Sequence, residues 1–520
     1  MQADAVIIGA GHNGLAVAAG LAKKGWKVAV FEAADQPGGA VKTRPVTLPG
    51  FQHDMGAMNL SLFAGSAFHK THAAELAEYG LGFVPAKHCF ASLFPDGRWL
   101  GVSTDLALTR ARIAGFSNRD AAAFEALLGQ FGAEAELIFS VLGSEMRPAR
   151  LARLGWKIWR AKGTGFLLRL LRLFLQSPRQ FLDSHFENPQ LKACFAAWGM
   201  HLDFPPDQSG GALFPYLETM ANQAFGMVIG KGGAACMIEA LSGMITARGG
   251  TIECGVEVTE IVTRQGKATG VRLADGRLVE ARRAVIANIH PRHLTGRLLP
   301  AGSGNAEFDR TLADFAPAPG TMMLHLALDS LPNWRAAELK QFAYVHLAPS
   351  MEMMSLAYQQ AKAGLLPAEP VLVVGQPTVL DPGRAPAGKH ILWVQVRMVP
   401  ARIKGDAAGQ IKSTDWEEAK QEMAERVLEL LARHAPGLHG QILGQYVVSP
   451  ADLEADNRNL IGGDQITGSH HLAQNFLYRP AAGWPAGSTP VKGLYMVGAG
   501  VWPGAGVGAG SAAILLDRLS

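Results

Sequence analysis

The sequence predicts an α/β fold, and three of its features carry this prediction. A glycine-rich turn joins a short apolar run to a helical segment near the N-terminus, a second such turn lies near the C-terminus, and segments with strand periodicity lie between them. The 520 residues suit two or three folding units of about 150 residues each. Hydrophobic residues make up 48% of the chain and charged residues 18%, so a large core, an apolar cavity or a membrane-facing surface must take up the apolar excess.

Bulk charge and cysteine content exclude several classes of protein. A formal net charge of +4 is too small at this length to indicate a nucleic-acid partner. Cys89, Cys194, Cys236 and Cys254 lie far apart without a CxxC pair, so we expect neither a redox disulfide nor a bound metal. The N-terminus lacks the pattern of a secretion signal, which predicts a cytoplasmic protein.

Residues 494–516 are uncharged and long enough to cross a bilayer, but their glycines and prolines favour a loop that leads into a helix.

The first unit opens with an apolar strand at residues 5–8, followed by the turn "GAGHNG" and a helix at residues 15–22. In such a turn the first glycine permits the tight bend, the second lets the backbone approach a pyrophosphate, and the third lets helix and strand pack closely. The helix N-terminus adds unpaired amides and a partial positive charge. We therefore predict a Rossmann-type dinucleotide site, whose loop residues are Gly9, Gly11, Asn13 and Gly14.

The second strand, residues 28–31, ends in Glu32, close to the spacing of about 20 residues that such sites show after the glycine turn. A carboxylate at this position can accept hydrogen bonds from both ribose hydroxyls, and it would repel a 2′-phosphate. The cofactor predicted from this spacing is FAD or NAD, and not NADP.

Two further motifs resemble one family of flavoproteins. Gly38 and Gly39 follow the acid in "EAADQPGGAVKTR", and "GFQHDMGAMNL" contains Asp54 and Gly56. In these stretches the sequence resembles the phytoene-desaturase and amine-oxidase branch of flavoproteins, and "GHNGL" with the C-terminal loop is most similar to its phytoene-dehydrogenase-related group. The resemblance implies bound FAD, with the glycine pair against the pyrophosphate and flavin and with Gly56 in the cofactor site.

One position departs from the family pattern. Many relatives have an arginine directly after the glycine pair, whereas this chain has Ala40, with Lys42 and Arg44 further on. The contact made by that arginine is therefore not expected in the same form here. Ala40 and Arg44 are retained as candidate cofactor-site residues.

Two later segments complete the predicted FAD site. Residues 230–233 are rich in glycine but lack an acidic residue at ribose spacing behind them, so we interpret them as structural and expect no NAD site. The resemblance places residues 256–258 beside the adenine, with Val258 supplying backbone hydrogen bonds. The C-terminal stretch contains a strand, residues 494–497, then a glycine-dense loop and a helix. Relatives hold a similar loop against the ribityl chain and flavin, which here implies Gly498, Gly500, Gly506 and Val507.

The resemblance also implies how the domains are divided. A discontinuous FAD-binding domain comprises residues 1–70, 216–290 and 451–520. Residues 71–215 are expected to form a helical cap, and residues 291–450 an α+β substrate domain that contains a sheet. The apolar segments "TMMLHLAL", "FAYVHL", "VLVVG" and "ILWVQVRM" predict the strands of that sheet.

The two insertions also contain helix signals. Ser117 with Asp120 predicts a capping box at the start of one helix, and Thr414 with Glu417 predicts another. Residues 147–181 contain many arginines and lysines and no acid, interleaved with tryptophan, phenylalanine and leucine. Basic amphipathic helices of this composition favour the headgroup layer of anionic membranes. A solvated face over the helical cap, or a contact in an oligomer, is the alternative interpretation.

The catalytic residues are less well defined than the cofactor site. The sequence contains no GxSxG, HExxH or P-loop motif, which agrees with flavin chemistry because the isoalloxazine supplies the reactive atom. Trp502, His325, Tyr344 and Arg397 are the candidates for lining the substrate cavity. A desaturase must move a hydride from an activated C–H bond to the flavin and lose a proton next to it, but the acid or base for this step is not identified.

The function predicted is that of an FAD-dependent oxidoreductase acting on an apolar or amphiphilic substrate, with oxygen or a quinone reoxidising the flavin. Two alternatives remain open. In the first alternative, a protein of the same fold catalyses amine or alcohol oxidation, or a non-redox isomerisation or hydration. The other is a non-catalytic, membrane-associated protein that retains FAD.

Overall fold

A computed structural model describes residues 1–300, 302 and 305–519. In chain order the strands are β1 (Gln2–Ile8), β2 (Val28–Phe31), β3 (Thr43–Arg44), β4 (His53–Asp54), β5 (Phe83–Ala86), β6 (His88–Leu93), β7 (Trp99–Ser103), β8 (Met227–Gly230), β9 (Thr251–Glu253), β10 (Val258–Arg264), β11 (Lys267–Leu273), β12 (Leu278–Ala287), β13 (Gly320–Leu328), β14 (Tyr344–Leu347), β15 (Leu365–Leu366), β16 (Val371–Gly375), β17 (His390–Val399), β18 (Gly405–Asp406), β19 (Ile442–Val448) and β20 (Leu494–Met496).

The helices are α1 (His12–Lys23), α2 (Ser61–Ala64), α3 (Ala67–Glu78), α4 (Leu106–Ala114), α5 (Asn118–Leu142), α6 (Pro148–Leu175), α7 (Pro178–His185), α8 (Pro189–Ala196), α9 (Leu213–Phe225), α10 (Ala235–Thr246), α11 (Pro291–His293), α12 (Ala306–Ala313), α13 (Met351–Ala363), α14 (Pro377–Leu380), α15 (Trp416–His434), α16 (Leu438–Gln441), α17 (Pro450–Asp456) and α18 (Gly510–Arg518). Short 3-10 turns connect several of them, including one at Ala197–Leu202.

The first sheet has a parallel core in the order β9-β2-β1-β12-β20. The antiparallel strand β11 pairs with the first half of β12, and β10 pairs with β11. Ile7 of β1 pairs with Val30 of β2 on one side and with Ile286 of β12 on the other. These strands are apolar on both faces because α1, α10 and α18 cover one face, while apolar residues of β10, β11 and α12 pack on the other. This confirms the predicted α/β, Rossmann-type fold.

The second sheet has the order β19-β13-β17-β16-β14-β6-β7 and is antiparallel except where β14 runs parallel to β6. It contains all four strands predicted in the second insertion. β6 and β7, which fall within the segment expected to be a helical cap, also join it, and the sequence analysis did not predict them. β6 is buried almost throughout, and a short apolar run of this kind shows no two-residue alternation that would identify a strand.

The N-termini of α5 and α15 test the two capping boxes predicted from the sequence. Ser117 is the N-cap of α5, and its hydroxyl accepts from Asp120 N at 3.1 Å. The Asp120 carboxylate accepts instead from Glu187 N and Asn188 N, at 2.9 and 2.8 Å, and so fixes the turn ahead of α8. The predicted box at Thr414 is wrong: α15 is capped by Asp415, whose carboxylate accepts from Glu417 N at 2.6 Å.

A buried ion pair joins the Asp54 motif to the glycine-rich turn after β8. Arg384 is fully buried, donates to one Asp54 oxygen and donates to Gly230 O at 2.6 Å. The other Asp54 oxygen accepts from Thr43 Oγ1 at 2.7 Å and from Ala234 N at 2.8 Å. The motif around Asp54, which resembles the phytoene-desaturase and amine-oxidase branch, therefore has a structural role, because Asp54 anchors the start of α10.

Replacing Arg384 by methionine is expected to destabilise the protein strongly, because Asp54 would keep its charge in a buried place without its partner. Breaking a buried ion pair typically costs about 3–5 kcal/mol, and urea denaturation followed by circular dichroism measures it. Arg98→Met is the matched control, since Arg98 and Asp96 form an exposed pair at 2.9 Å and such pairs contribute about 0–1 kcal/mol. Equal losses in the two variants would contradict this role of Arg384.

Candidate active site

A single continuous cavity of about 1600 Å³ reaches from the carboxyl ends of the parallel strands to one face of the second sheet. The elements of its wall include the β1–α1 turn, the C-terminal glycine loop, α5, α9 and β17. Pockets for one small ligand usually measure roughly 300–1,000 Å³. The cavity is therefore large enough for a dinucleotide and a second molecule.

Asn288, directly after β12, contacts both glycine loops at the end of the cavity where the cofactor is expected. A Cβ added at Gly9 would lie 2.7 Å from Asn288 O, and one at Gly11 would lie 2.9 Å from Asn288 Nδ2. A Cβ at Gly14 would lie 2.4 Å from Gly9 O, and one at Gly498 would lie 2.9 Å from Asn288 Oδ1. Because real Cβ atoms essentially never approach so closely, glycine is required at these four positions, where two loops pack against the backbone and side chain of Asn288. The sequence analysis did not identify Asn288.

Glu32 is held in place at the end of β2. Its carboxylate accepts from Ala10 N at 2.7 Å and from Ala34 N at 2.9 Å. A carboxylate has about four acceptor positions, so it can still bind ribose hydroxyls while it fixes the glycine turn. Glu32 lies on the cavity wall.

The two glycine loops are also joined by hydrogen bonds. Ser511 Oγ donates to Asn13 Oδ1 at 3.1 Å and accepts from Gly498 N at 3.0 Å. Asn13 Nδ2 lies 2.8 Å from His12 Nε2, and burial lowers the pKa of His12 to about 4. The imidazole is therefore neutral at physiological pH, and this link carries no net charge.

Two residues that the sequence analysis missed hold the C-terminal loop from behind. Arg479 is buried and donates to Ala499 O at 2.7 Å and to Thr467 O at 2.9 Å. His470 Nε2 accepts from Ala505 N at 2.9 Å. Burial lowers the pKa of Arg479 to about 9, so it remains charged at neutral pH. No periodicity or motif in the sequence marks either residue as a loop anchor.

Most of the predicted site residues lie on the cavity wall, and five do not. Those on the wall are Gly9, Gly11, Asn13, Glu32, Gly39, Ala40, Gly56, Val258, Tyr344, Arg397, Gly498, Trp502, Gly506 and Val507. Those off it are Gly14, Gly38, Arg44, His325 and Gly500. Gly14 and Gly500 pack against Gly9 and Pro291 behind the wall. Arg44 instead binds Asp456 at 3.0 Å, and Lys42 binds the same carboxylate at 2.7 Å while also lining the cavity.

His325 does not line the cavity, contrary to the prediction from the sequence. It pairs with Trp393 across the sheet, but the rings of His53 and Tyr446 pack over it, with centroids 5.5 and 6.4 Å away. Burial lowers its pKa to about 3. It is a neutral core side chain of the second sheet.

The inner part of the cavity is aromatic. Trp198, Tyr344 and Trp393 lie on its wall, and the Tyr344 and Trp393 ring centroids are 5.8 Å apart. Arg397 reaches the same wall, but its guanidinium donates to Met200 O at 3.0 Å and to Thr321 Oγ1 at 3.1 Å, among other partners. Its hydrogen-bonding groups are thus directed to the protein, and Arg397 braces this wall.

Trp502 closes the wall next to the C-terminal loop. The side chain is 3% exposed, its indole nitrogen donates to Ser144 O at 3.0 Å, and its ring packs against Phe476 with centroids 5.1 Å apart. It lies on the cavity wall as predicted. Its fixed position makes it a rigid apolar boundary between the loop and α5.

One acidic residue in the inner cavity, Glu218 of α9, was not identified from the sequence. Phe214, Leu217, Ala221 and Phe225 share its cavity-facing side of the helix. Burial raises the pKa of Glu218 to about 7. An acidic residue on the apolar face of an amphipathic segment was the one signal in the sequence that could have drawn attention to it.

The residues present fit a dinucleotide. The glycine positions admit no side chain where the main chain must approach a ligand, and the first amides of α1 have no partner within the helix. Glu32 adds a carboxylate at ribose spacing. A parallel sheet with such turns at both ends of the chain, beside a second sheet that bounds a large cavity, defines the class of FAD-dependent oxidoreductases.

The chain belongs to the family described as flavin containing amine oxidoreductases, whose model matches residues 14–440. A protein of Rattus norvegicus named pyridine nucleotide-disulfide oxidoreductase domain-containing protein 2 is 28% identical, over 97% of this chain and 91% of its own length. The neurosporene-forming phytoene desaturase of Rhodobacter capsulatus is 27% identical, also over 97% and 91%. A solved oxidoreductase from Methanosarcina mazei shares the fold, with a TM-score of 0.61, 20% identity and full coverage of both chains.

These similarities confirm the resemblance stated from the motifs. The chain is an FAD-dependent oxidoreductase of the desaturase or oxidase type. Within the described residues, no helix is both long and apolar enough to cross a membrane. The C-terminal segment forms β20, the glycine loop and α18.

Replacing Glu32 by alanine is expected to weaken FAD binding, because the ribose would lose a charged acceptor and the glycine turn would lose two hydrogen bonds. A hydrogen bond to a charged group contributes about 1.5–3 kcal/mol, which corresponds to a roughly 10- to 150-fold higher dissociation constant at about 1.4 kcal/mol per tenfold. Fluorescence titration of FAD into deflavinated protein measures it. Glu253→Ala is the control, since that acid pairs with Arg277 on the surface. An unchanged dissociation constant in the Glu32 variant would show that the carboxylate does not hold the cofactor.

Proposed function

We propose that this protein oxidises a lipophilic or amphiphilic molecule in the inner, aromatic part of the cavity, with FAD at the outer end and oxygen or a quinone as the final acceptor. The observation that carries this proposal is the continuity of the cavity. Its wall includes Glu32 and Gly11 at the cofactor end and Trp198, Tyr344 and Trp393 at the other end. A substrate held against these rings would share one enclosed space with the cofactor.

FAD would be held by main-chain groups more than by side chains. Amides of the β1–α1 turn would bind the pyrophosphate, Glu32 the ribose, and the backbone of Val258 the adenine. The segments expected to contact the pyrophosphate, ribityl chain and flavin contain Gly38, Gly39, Ala40, Gly56, Gly498, Gly506 and Val507. Bound FAD supplies the acceptor for a hydride from the substrate.

The chain's own groups would orient the substrate and keep water away from it. Trp502 and Phe476 close the wall beside the C-terminal loop, while Leu213 and Leu217 of α9 add apolar surface to the inner part. An apolar molecule gains about 25 cal/mol for each Å² of apolar surface that it buries. The relative from Rhodobacter capsulatus is, by its name, a desaturase of phytoene, which supports a lipophilic substrate.

The cavity opens at an apolar edge. Leu62, Phe139 and Phe225 lie on its wall and are 51%, 43% and 70% exposed. α6 packs next to α5, which carries Phe139. A substrate dissolved in a membrane could therefore enter without crossing water, if this edge faced the bilayer.

The exposed side of α6 suits contact with an anionic membrane surface. Its exposed apolar residues, 47% to 59% accessible, are Trp156, Trp159, Leu168, Leu171 and Leu175. Its basic residues that form no salt bridge within the described part of the chain are Arg153, Lys157, Arg160, Lys162, Arg169 and Arg172. The two tryptophans precede and the three leucines follow a break in the helix at Gly163, where φ is 79°. Exposed aromatic and basic groups on such helical segments favour the headgroup layer, so residues 147–181 would dock peripherally at the inner face of the cell membrane.

Amine or alcohol oxidation is the second candidate. The Tyr344–Trp393 pair faces the cavity, and aromatic faces attract a cation such as an ammonium group. The two candidates share the cofactor and the cavity, and they differ in the donor that reduces the flavin.

Anaerobic addition of a donor tests the redox function. Phytoene in detergent micelles, dodecanol and dodecylamine would each be added to the oxidised holoenzyme, and the yellow flavin absorbance followed. Bleaching by phytoene is the expected result; bleaching only by the amine or the alcohol would favour the second candidate. Dithionite serves as the control that the flavin can be reduced. A flavin that dithionite bleaches and no donor does would refute the redox proposal.

Replacing Trp156 and Trp159 together by serine is expected to weaken membrane association. Full burial of a large apolar side chain contributes about 1.5–3 kcal/mol, so losing two half-exposed rings should lower the vesicle-bound fraction roughly tenfold. Co-sedimentation with phosphatidylglycerol vesicles measures it, and binding should fall as salt rises. Leu443→Ser, at an exposed apolar residue on β19, is the control. Equal binding of all three proteins would rule out docking through α6.

A further inference from the structure

Glu218 is a carboxyl group that the cofactor site does not use and that the protein leaves without a partner. It lies on α9, where the other cavity-facing residues named above are apolar. Among the residues that the structure describes, none donates a hydrogen bond to its carboxylate or forms a salt bridge with it. Asn222, one turn along α9, also lines the cavity, but its side chain donates to Glu218 O, the backbone carbonyl, at 2.7 Å. The side chain is only partly exposed, on the cavity wall, and within the described part of the chain it forms no hydrogen bond or salt bridge that would give it a structural role.

Tyr344, His201 and Arg397 are ionisable residues that line the same cavity as Glu218. Burial raises the pKa of Tyr344 above its ordinary value, and the charges of Asp54 and Glu218 act in the same direction. Burial also lowers the pKa of His201 well below its ordinary value. Arg397 has a pKa of about 10 because of burial and is directed to backbone carbonyls. Glu134 of α5 interacts with Gln130 and with Tyr216.

We propose that the Glu218 carboxylate accepts the proton that the substrate loses when its neighbouring C–H bond gives up a hydride; this rests on the oxidation proposed above. One C–H bond would break, and its hydrogen would leave with both electrons, for which bound FAD would be the acceptor. A second C–H bond on the adjacent carbon then breaks, its electron pair forms the new double bond, and its proton binds a Glu218 oxygen. With an amine or alcohol the proton comes from N–H or O–H in the same way.

The apolar wall explains why a single carboxylate suffices. Loss of a hydride leaves the reacting carbon electron-deficient, and a negative charge in a water-poor cavity stabilises such a centre more strongly than it would in water. Because burial raises the pKa of Glu218 to about 7, the group is a stronger base than an ordinary carboxylate and can later return the proton to water. The ionised form is the acceptor, so the rate of flavin reduction rises with pH through about 7.

The test compares the holoenzyme with Glu218→Gln, Glu218→Asp and Glu239→Gln, the last an exposed acid on α10 as a matched control. Infrared spectra between pH 5 and pH 9 report the carboxyl directly. The wild-type protein should show a protonated-carboxyl band that disappears with a midpoint of about 7, and this band should be absent from Glu218→Gln. A spectrum without such a titration would overturn the proposal.

Stopped-flow bleaching with the donor that reduces the wild-type flavin is the second measurement. Glu218→Gln should lower the maximal rate by about 10²–10⁴-fold, the usual contribution of a positioned base, and should lose the rise with pH. The donor concentration at half-maximal rate should change little, and Glu218→Asp should recover part of the rate together with the pH dependence. Glu239→Gln should match the wild-type protein.

The outcomes separate this inference from the function on which it rests. If a donor bleaches wild-type and Glu218→Gln protein at equal rates and with equal pH profiles, the inference fails and the oxidation stands. If only the half-maximal concentration rises in Glu218→Gln, the residue binds substrate and the inference also fails. If no donor bleaches the flavin, both the proposed function and this inference are refuted.

Discussion

The structure depends on the close approach of two backbone loops to the side chain of Asn288. Gly9, Gly11 and Gly498 leave no room for a Cβ at this point, and Ser511 joins the two loops by hydrogen bonds. The ends of β1, β12 and β20 are thereby fixed relative to one another, although they come from the beginning, middle and end of the chain.

The second sheet brings apolar surface next to that junction. Its two faces have different neighbours: alternate residues of β17, including Trp393 and Arg397, face the cavity, while those between them pack under α15. The buried cations near the cavity, Arg397 and Arg479, are satisfied by carbonyl and hydroxyl oxygens. The inner part of the cavity therefore combines aromatic and aliphatic walls with a cation whose donors are already bonded to the protein, an environment that suits a hydride-transferring flavoprotein.

Local chemistry explains which site residues could be predicted. The glycine turns and Glu32 follow from contacts between neighbouring residues and from the spacing of a strand, a turn and a helix, so they are visible in the sequence. His325 was misplaced because a histidine in a strand has the same pattern whether the cavity or another side chain covers it. Asn288 was missed because its contacts are with residues far away in the chain, and Glu218 was missed because the cavity that it faces is formed only when distant segments meet.

The sequence by itself determined the α/β class, the glycine turns at both ends and the four strands predicted in the second insertion, because these depend on backbone freedom and short-range periodicity. Only the tertiary structure decided that β6 and β7 join the second sheet, that Asp54 anchors a helix, and that a lone carboxyl faces an apolar cavity. Such facts depend on which distant segments meet, and no local pattern encodes the surroundings of a side chain once the chain has folded.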